Sequence, residues 1–270
     1  MKIILCPNKL RDIGLKATYT VAEMLENSGT EYYICPIYEL GEQKLDGTEI
    51  IMTFGGDGTV LSAARALLRQ DVPIVGVNMG HLGFITEIER DELELVNDLI
   101  KGRYTLENRM MINISVYRDG ENVYQNYALN DAVVRGITRI ISMSIFGDGK
   151  EITSFSGDGM VIATPTGSTA YSLSAGGPIV EPEAENIIIT PLCPHVLWAK
   201  SYVLTANRKV TVTIGDVRGR AAILSVDGNE PFELTSNDEV RVTKSKRYTK
   251  LVKLRNYSFY ERVSQKLGDN

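Results

Sequence analysis

Five residues carry the most chemistry in this chain: Gly55-Gly56-Asp57-Gly58-Thr59. An apolar run, Ile50, Ile51, Met52 and Phe54, leads into them. Beyond them Val60, Leu61, Ala64, Leu67 and Leu68 recur at three- and four-residue spacing, the periodicity of a helix. A strand that empties through glycines into a helix outlines a phosphate cradle. Glycine lets backbone approach a ligand, and the first N–H groups of a helix, backed by its dipole, favour an anion. Asp57 adds an acceptor beside the bound phosphates. A carboxylate there is repulsive unless it takes a proton, orients a hydroxyl or helps to hold a cation, so the combination points to phosphoryl transfer. The loop holds no lysine, which excludes the Walker pattern. The same residues could also be no more than a tight turn. Asp-Gly is a common turn dipeptide and recurs here at 46–47, 119–120, 148–149, 158–159 and 227–228.

A second polar cluster lies in residues 157–180, GDGMVIATPTGSTAYSLSAGGPIV. Thr164, Thr166, Ser168, Thr169, Tyr171, Ser172 and Ser174 gather around Gly167 after an apolar strand. Ser168 or Thr169 could cap a helix that ends at Gly176-Gly177, ahead of Pro178. A cap explains one hydroxyl. So many suit a hydrogen-bonding small ligand such as a nucleotide.

The elements that must position these residues follow from periodicity. Lys2–Cys6 reads as a buried strand and Asp12–Ser28 as a helix with Ile13, Ala17, Val21, Met24 and Leu25 on one face. Tyr32–Cys35, Ile50–Phe54 and Pro73–Val77 read as further strands. Such alternation predicts a parallel sheet in an open α/β domain, with ligands at the carboxyl ends of its strands. The fourth strand opens into Asn78–Phe84, a second glycine-bearing loop: either an ordinary connection, or a wall of the same pocket with Phe84 or His81 near the ligand. A short helix, Asp91–Lys101, closes this part.

Near Arg103 the pattern turns to strand after strand through 164, resuming at 187–190, 209–214, 221–227 and 239–243, as in a β-rich, sandwich-like domain. The last segment, Phe259–Leu267, regains helical spacing and is expected to pack back on the first domain. The domains so drawn are 1–102 with 256–270 returning to it, and 103–255.

With 270 residues, 43% hydrophobic, 23% charged and a net charge of −5, the chain can bury substantial cores, and broad nucleic-acid binding is disfavoured. No apolar run approaches the roughly 18 residues of a membrane span, and the N-terminal residues lack a signal-peptide layout, so the expected location is the cytoplasm, with no membrane partner. The three cysteines, Cys6, Cys35 and Cys193, sit in apolar surroundings at no metal spacing and read as buried reduced thiols. Two histidines make a histidine-built zinc site improbable. Trp198 reads as a packing residue.

Taken together, the sequence resembles the NAD kinase family over nearly its whole length: Gly55–Thr59, Asn78–Phe84, Asn130-Asp131, Gly157–Val180, Ile189–His195 and Ser225–Gly228 occur in order. The five-residue loop alone is shared with diacylglycerol and sphingosine kinases and phosphofructokinases; the 157–180 block is specific. The resemblance implies an α/β domain followed by a β-rich domain, and transfer of the terminal phosphoryl of ATP, or of polyphosphate, to the 2′-hydroxyl of the adenosine ribose of NAD. It assigns catalysis to Asp57 and phosphate binding to Gly55, Gly56, Gly58 and Thr59. NAD would meet Asp57, Gly58, Phe84, Asn130, Asp131, Asp158, Thr169, Tyr171 and Ser174. Mg²⁺ or another divalent cation would accompany ATP, and the subunits would form homodimers or homotetramers. Two departures stand out. Asp131 replaces the more usual Glu, and Trp198-Ala199-Lys200-Ser201 replaces a Ser-x-Arg-Pro pattern, where Lys200 keeps a charge without bidentate pairing. The alternatives are a lipid kinase sharing the loop and a dinucleotide-binding regulator without turnover.

Overall fold

A computed structural model describes all residues except 69, 218–220, 256–257 and 269–270; the last four of these belong to the segment expected to return to the first domain and so lie outside the described residues. The chain forms two compact units, Met1–Arg109 with Thr249–Asn270, and Met110–Tyr248.

The first unit begins with β1 (Lys2–Pro7), α1 (Lys16–Asn27), β2 (Glu31–Ile34), β3 (Ile50–Gly55), α2 (Asp57–Ala66), β4 (Ile74–Asn78), β5 (Ile88–Glu89) and α3 (Val96–Ile100). The strands pair in parallel in the order β2-β1-β3-β4, with β5 beside β4. Every residue of β3 and β4 is buried, which explains their unbroken apolar runs. Ile3, Leu5, Ile50, Met52, Phe54, Val75 and Val77 of the sheet share a core with Val21 and Leu25 of α1 and Val96 and Leu99 of α3. The helix expected from Asp12 starts later. Gly14 and Leu15 take left-handed backbone angles, φ 69° and 55°, and Ile13 is left 76% exposed rather than on the packing face. The reason is Asp12, whose buried carboxylate accepts the N–H groups of Ala17 and Thr18 at 3.1 and 3.0 Å and the Thr18 hydroxyl at 2.6 Å. It caps α1 from outside, and the chain kinks to let it.

Among the described residues the second unit is built of strands, with a 3-10 turn at Thr166–Thr169 and one short α-helix. It runs through β6 (Thr105–Arg118), β7 (Glu121–Ala128), β8 (Asp131–Gly136), β9 (Ile141–Gly147), β10 (Lys150–Gly157), β11 (Gly159–Ala163), α4 (Tyr171–Ser174), β12 (Asn186–Leu192), β13 (Tyr202–Thr205), β14 (Val210–Ile214), β15 (Ala222–Val226), β16 (Phe232–Leu234) and β17 (Glu239–Lys253). One antiparallel layer has the order β10-β9-β14-β17 and the other β13-β12-β11-β8-β15-β16. Both feed one core, with Ile145, Val212 and Val242 from the first layer and Val134, Ile162, Ile189 and Leu224 from the second. The second layer is also covered on its far face, where Val133, Val161, Ala163 and Ile188 pack with Ala175 and Val180. Double coverage makes β11, MVIA, continuously apolar. At Asp119-Gly120 and Asp148-Gly149 both residues have positive φ, the twist-matched two-residue hairpin turn.

The backbone passes between the units twice, inside the long strands β6 and β17, and ends in α5 (Phe259–Gly268). That helix packs on the first unit: Arg262 donates to the carbonyls of Gly83 and Thr86. Beneath its approach the buried carboxylate of Glu87 pairs with Lys253 and accepts the N–H groups of Leu254 and Arg255 at 2.9 and 3.1 Å. Among the described residues no helix is long and apolar enough to cross a membrane.

Candidate active site

The glycine loop falls at the carboxyl end of β3, and Gly56 is the N-cap of α2 without a side-chain cap bond. The helix therefore presents uncapped N–H groups. Its glycines have different reasons to be glycine. A Cβ on Gly55 would lie 2.0 Å from the Thr59 hydroxyl oxygen, so internal packing forbids it. Around Gly56 and Gly58 a Cβ would meet nothing within 4 Å, and Gly56 has an ordinary φ of −117°. Neither sterics nor backbone angle asks for glycine there, and a ligand lying close would.

Asp57 does not face open solvent. Its Oδ2 accepts the Phe84 N–H at 2.8 Å, and its Oδ1 those of Ile85 and Thr86 at 3.2 and 3.3 Å. The second loop thus curls its amides around the carboxylate, which keeps 29% side-chain exposure. Gly83 makes this possible, since a Cβ there would sit 2.2 Å from Asp57 Oδ1 and 2.3 Å from Thr86 Oγ1. The C-terminal helix completes the surroundings: Lys266 Nζ lies 3.8 Å from Asp57 Oδ2 and 4.1 Å from the centre of the Phe84 ring. Asp57, Gly55–Thr59 and Phe84 are therefore one constellation. His81 is exposed, and its carbonyl accepts from Asn78.

In the second unit Asn130 and Asp131 are fixed by Asp227, from the turn after β15. The Asp227 carboxylate accepts the N–H groups of Leu129, Asn130 and Asp131 at 2.8, 2.9 and 3.0 Å. The carbonyl of Asn130 takes Thr164 N–H at 2.8 Å, and that of Leu129 takes the Thr164 hydroxyl at 2.5 Å. Asn130's backbone is thus held while its carboxamide makes no hydrogen bond among the described residues. Asp131 is buried to 6% exposure. Burial, and then the nearby Asp227 carboxylate, push its carboxyl up to about 7.

Asp158 and Tyr171 share a cleft of about 330 Å³ with Arg135, Arg139 and Cys193. Two guanidiniums beside a carboxylate and a phenol suit a ligand with both anionic and hydrogen-bonding parts. Tyr171 and Ser174 are exposed, and their hydroxyls are free of partners among the described residues; the Thr169 hydroxyl donates to the Thr166 carbonyl at 3.2 Å.

Three expectations are corrected. Neither Ser168 nor Thr169 caps a helix: the Ser168 hydroxyl instead pins Val180, accepting its N–H at 3.1 Å and donating to its carbonyl at 3.2 Å, and α4 starts after Ala170. Cys193 is exposed, and a hydrogen bond to Asp158 raises its thiol; Cys6 and Cys35 are buried as expected. Trp198 is 68% exposed beside Leu197 at 91%. Sequence reading missed Lys266, Gly83 and the load on Asp227. The clue for Asp227 was its place in the family motif; for Lys266 no local signal exists, because its partner lies 209 positions earlier in the chain.

No group of three or more His, Cys, Asp or Glu among the described residues could hold a metal ion.

Comparison with known proteins gives a consistent result. Residues 8–104 match the ATP-NAD kinase N-terminal domain and residues 130–254 the ATP-NAD kinase C-terminal domain. The NAD kinase of Lachnoclostridium phytofermentans is 40% identical over 99% of each chain, and that of Acetivibrio thermocellus 34% identical over 100% of this chain and 98% of the other. Among solved structures, yeast NADH kinase complexed with NADH superposes with a TM-score of 0.86 at 25% identity, covering 100% of this chain and 88% of that one. An NAD kinase from Archaeoglobus fulgidus in complex with ATP gives 0.77 at 27% identity, covering 99% of both.

Proposed function

This chain belongs to the NAD kinase family, and from that premise we infer that it moves the terminal phosphoryl group of ATP to the 2′-hydroxyl of the adenosine ribose of NAD, forming NADP. ATP as donor is favoured over polyphosphate by the ATP complex of the Archaeoglobus relative. Membership sets aside a lipid kinase and a regulator without turnover.

The observation that carries the mechanism is the anchored carboxylate of Asp57 at the head of α2, next to the open Gly56 and Gly58. The donor phosphates lie over Gly55–Thr59, where α2 offers its N–H groups and positive end. Asp57 accepts the ribose hydroxyl and aims it at the γ-phosphorus, taking its proton as the bond forms. Three amides around the carboxylate fix its position, and positioning is most of what phosphoryl transfer asks of a protein. A divalent cation bound to the phosphates supplies charge neutralisation when present, with Asp57 the residue able to reach it.

NAD is held by Asn130 and Asp131 toward its adenosine part, helped by Thr169, Tyr171 and Ser174, with Asp158 toward the nicotinamide end; the unspent Asn130 carboxamide and Tyr171 and Ser174 hydroxyls support this. Phe84 and Gly58 line the ribose. The reading carries a location in the cytoplasm, checked by cell fractionation, and a homodimer or homotetramer, checked by light scattering.

The test is Asp57→Asn with NAD, ATP and Mg²⁺, assayed for NADP. Loss of a positioned acceptor and base lowers the rate by about 10²–10⁴. NADP formation at near wild-type rate by the variant would remove Asp57 from this role.

A further inference from the structure

The glycine loop has a deficit. Residues 55–59 contain a carboxylate and no cation, so a triphosphate bound there meets a negative side chain. In phosphoryl transfer charge spreads over the equatorial oxygens of the moving group, and a fixed cation against them is a recurring catalytic part. The nearest described ammonium comes from the far end of the chain. Lys266, in the last turn of α5, reaches within 3.8 Å of Asp57 Oδ2. That is an ion-pair distance, longer than a hydrogen bond, so the ammonium is not committed to the carboxylate. It stands over the Phe84 ring at 4.1 Å, and its side chain is 31% exposed. Arg262, one turn earlier, fastens the helix to the Gly83 and Thr86 carbonyls, on the same loop whose amides grip Asp57. The placement is thus built by two independent contacts of α5.

We propose that Lys266 is a catalytic residue of the phosphoryl transfer, supplying the cation the glycine loop lacks. With donor bound, its ammonium turns on its four-carbon stem from Asp57 to an oxygen of the transferring γ-phosphoryl. The bond between the ribose 2′-oxygen and phosphorus forms as the bond to the β,γ-bridging oxygen breaks. ADP leaves with that electron pair, the hydroxyl proton passes to Asp57, and Lys266 keeps its protons throughout.

This inference rests on the reading of Gly55–Thr59 as the donor site, so Asp57→Asn is measured alongside. Lys266→Ala and Lys266→Arg are assayed for NADP formation, with thermal melts to follow folding. The expected result for Lys266→Ala is a kcat lower by about 10²–10³, as for removal of one transition-state donor, with the KM for NAD changed by less than about threefold. Recovery of rate in Lys266→Ala on adding propylammonium chloride, or in Lys266→Arg, marks a missing charge and supports the proposal; a structural prop would not be restored by a free amine. A Lys266→Ala kcat near wild type overturns it, as does a loss that neither propylammonium nor arginine repairs. Full activity in Asp57→Asn would instead strike the donor-site reading itself, whereas an inactive Asp57→Asn beside an unimpaired Lys266→Ala strikes the lysine alone.

Discussion

Asp131→Asn is the substitution whose effect the structure fixes best. The Asp131 carboxyl is raised from the ordinary 3.8 to about 7 by burial first and by Asp227 second. Below pH of about 4 the folded and unfolded chains are both protonated at this residue. Between about 4 and 7 the unfolded chain has lost the proton and the folded chain holds it, so the native state binds more protons and stability falls as pH rises. Above 7 the loss is complete. At about 1.36 kcal/mol per pH decade the whole swing is at most about 4 kcal/mol. Asparagine does not titrate, so the variant lacks this fall, and the carboxylates not coupled to Asp131 cancel in the comparison. Urea unfolding of both proteins at half-unit steps from pH 4.5 to 8.5 measures it: the stability of Asp131→Asn minus that of wild type should climb by a few kcal/mol and level off above pH 7. In kinase assays, the KM for NAD of wild type should change across the same interval and that of the variant should not. Two stability curves running parallel within about 0.5 kcal/mol would refute the buried, protonated carboxyl and the reasoning with it.

Three further substitutions separate packing from ligand contact. Gly55→Ala forces a Cβ to 2.0 Å from the Thr59 hydroxyl, so its urea midpoint should drop, by about 1–3 kcal/mol in stability. Gly56→Ala has open space and should melt within a few degrees of wild type, yet raise the KM for ATP at least about tenfold by intruding on the phosphates. Gly83→Ala places its methyl 2.2 Å from Asp57 Oδ1 and should lower kcat for NADP formation by about 10²-fold through displacement of the carboxylate, with KM for ATP little altered.

Much of the frame was readable because its periods are local. The buried strands of the first unit are apolar runs, and Asp-Gly at 119–120 and 148–149 does form turns, as the dipeptide suggests. What escaped was long-range. Asp12 looked like the first residue of a helix; only the fold shows it buried and capping α1 from beyond a kink. Asp227-Gly228 reads locally as one more hairpin turn, while its carboxylate in fact sets the Leu129–Asp131 segment, about a hundred residues away. The glycine loop marked Asp57 as a candidate acid, but its three amide donors belong to another loop and the ammonium beside it to a distant part of the chain. Trp198 shows the opposite failure: a large apolar side chain is assigned to a core by default, and this one stands outside it.

Because β17 and α5 come about two hundred residues after the glycine loop, the order of synthesis matters. The segment carrying Asp57 leaves the ribosome before the β-rich stretch, yet Lys253, Arg262 and Lys266, which close around Glu87 and the Phe84 loop, emerge only after it. The intervening β-rich stretch, Met110–Tyr248, is contiguous and compact, and such units generally fold as they are made. A nascent chain thus holds the Phe84 loop and Glu87 without these partners until that later segment has been made.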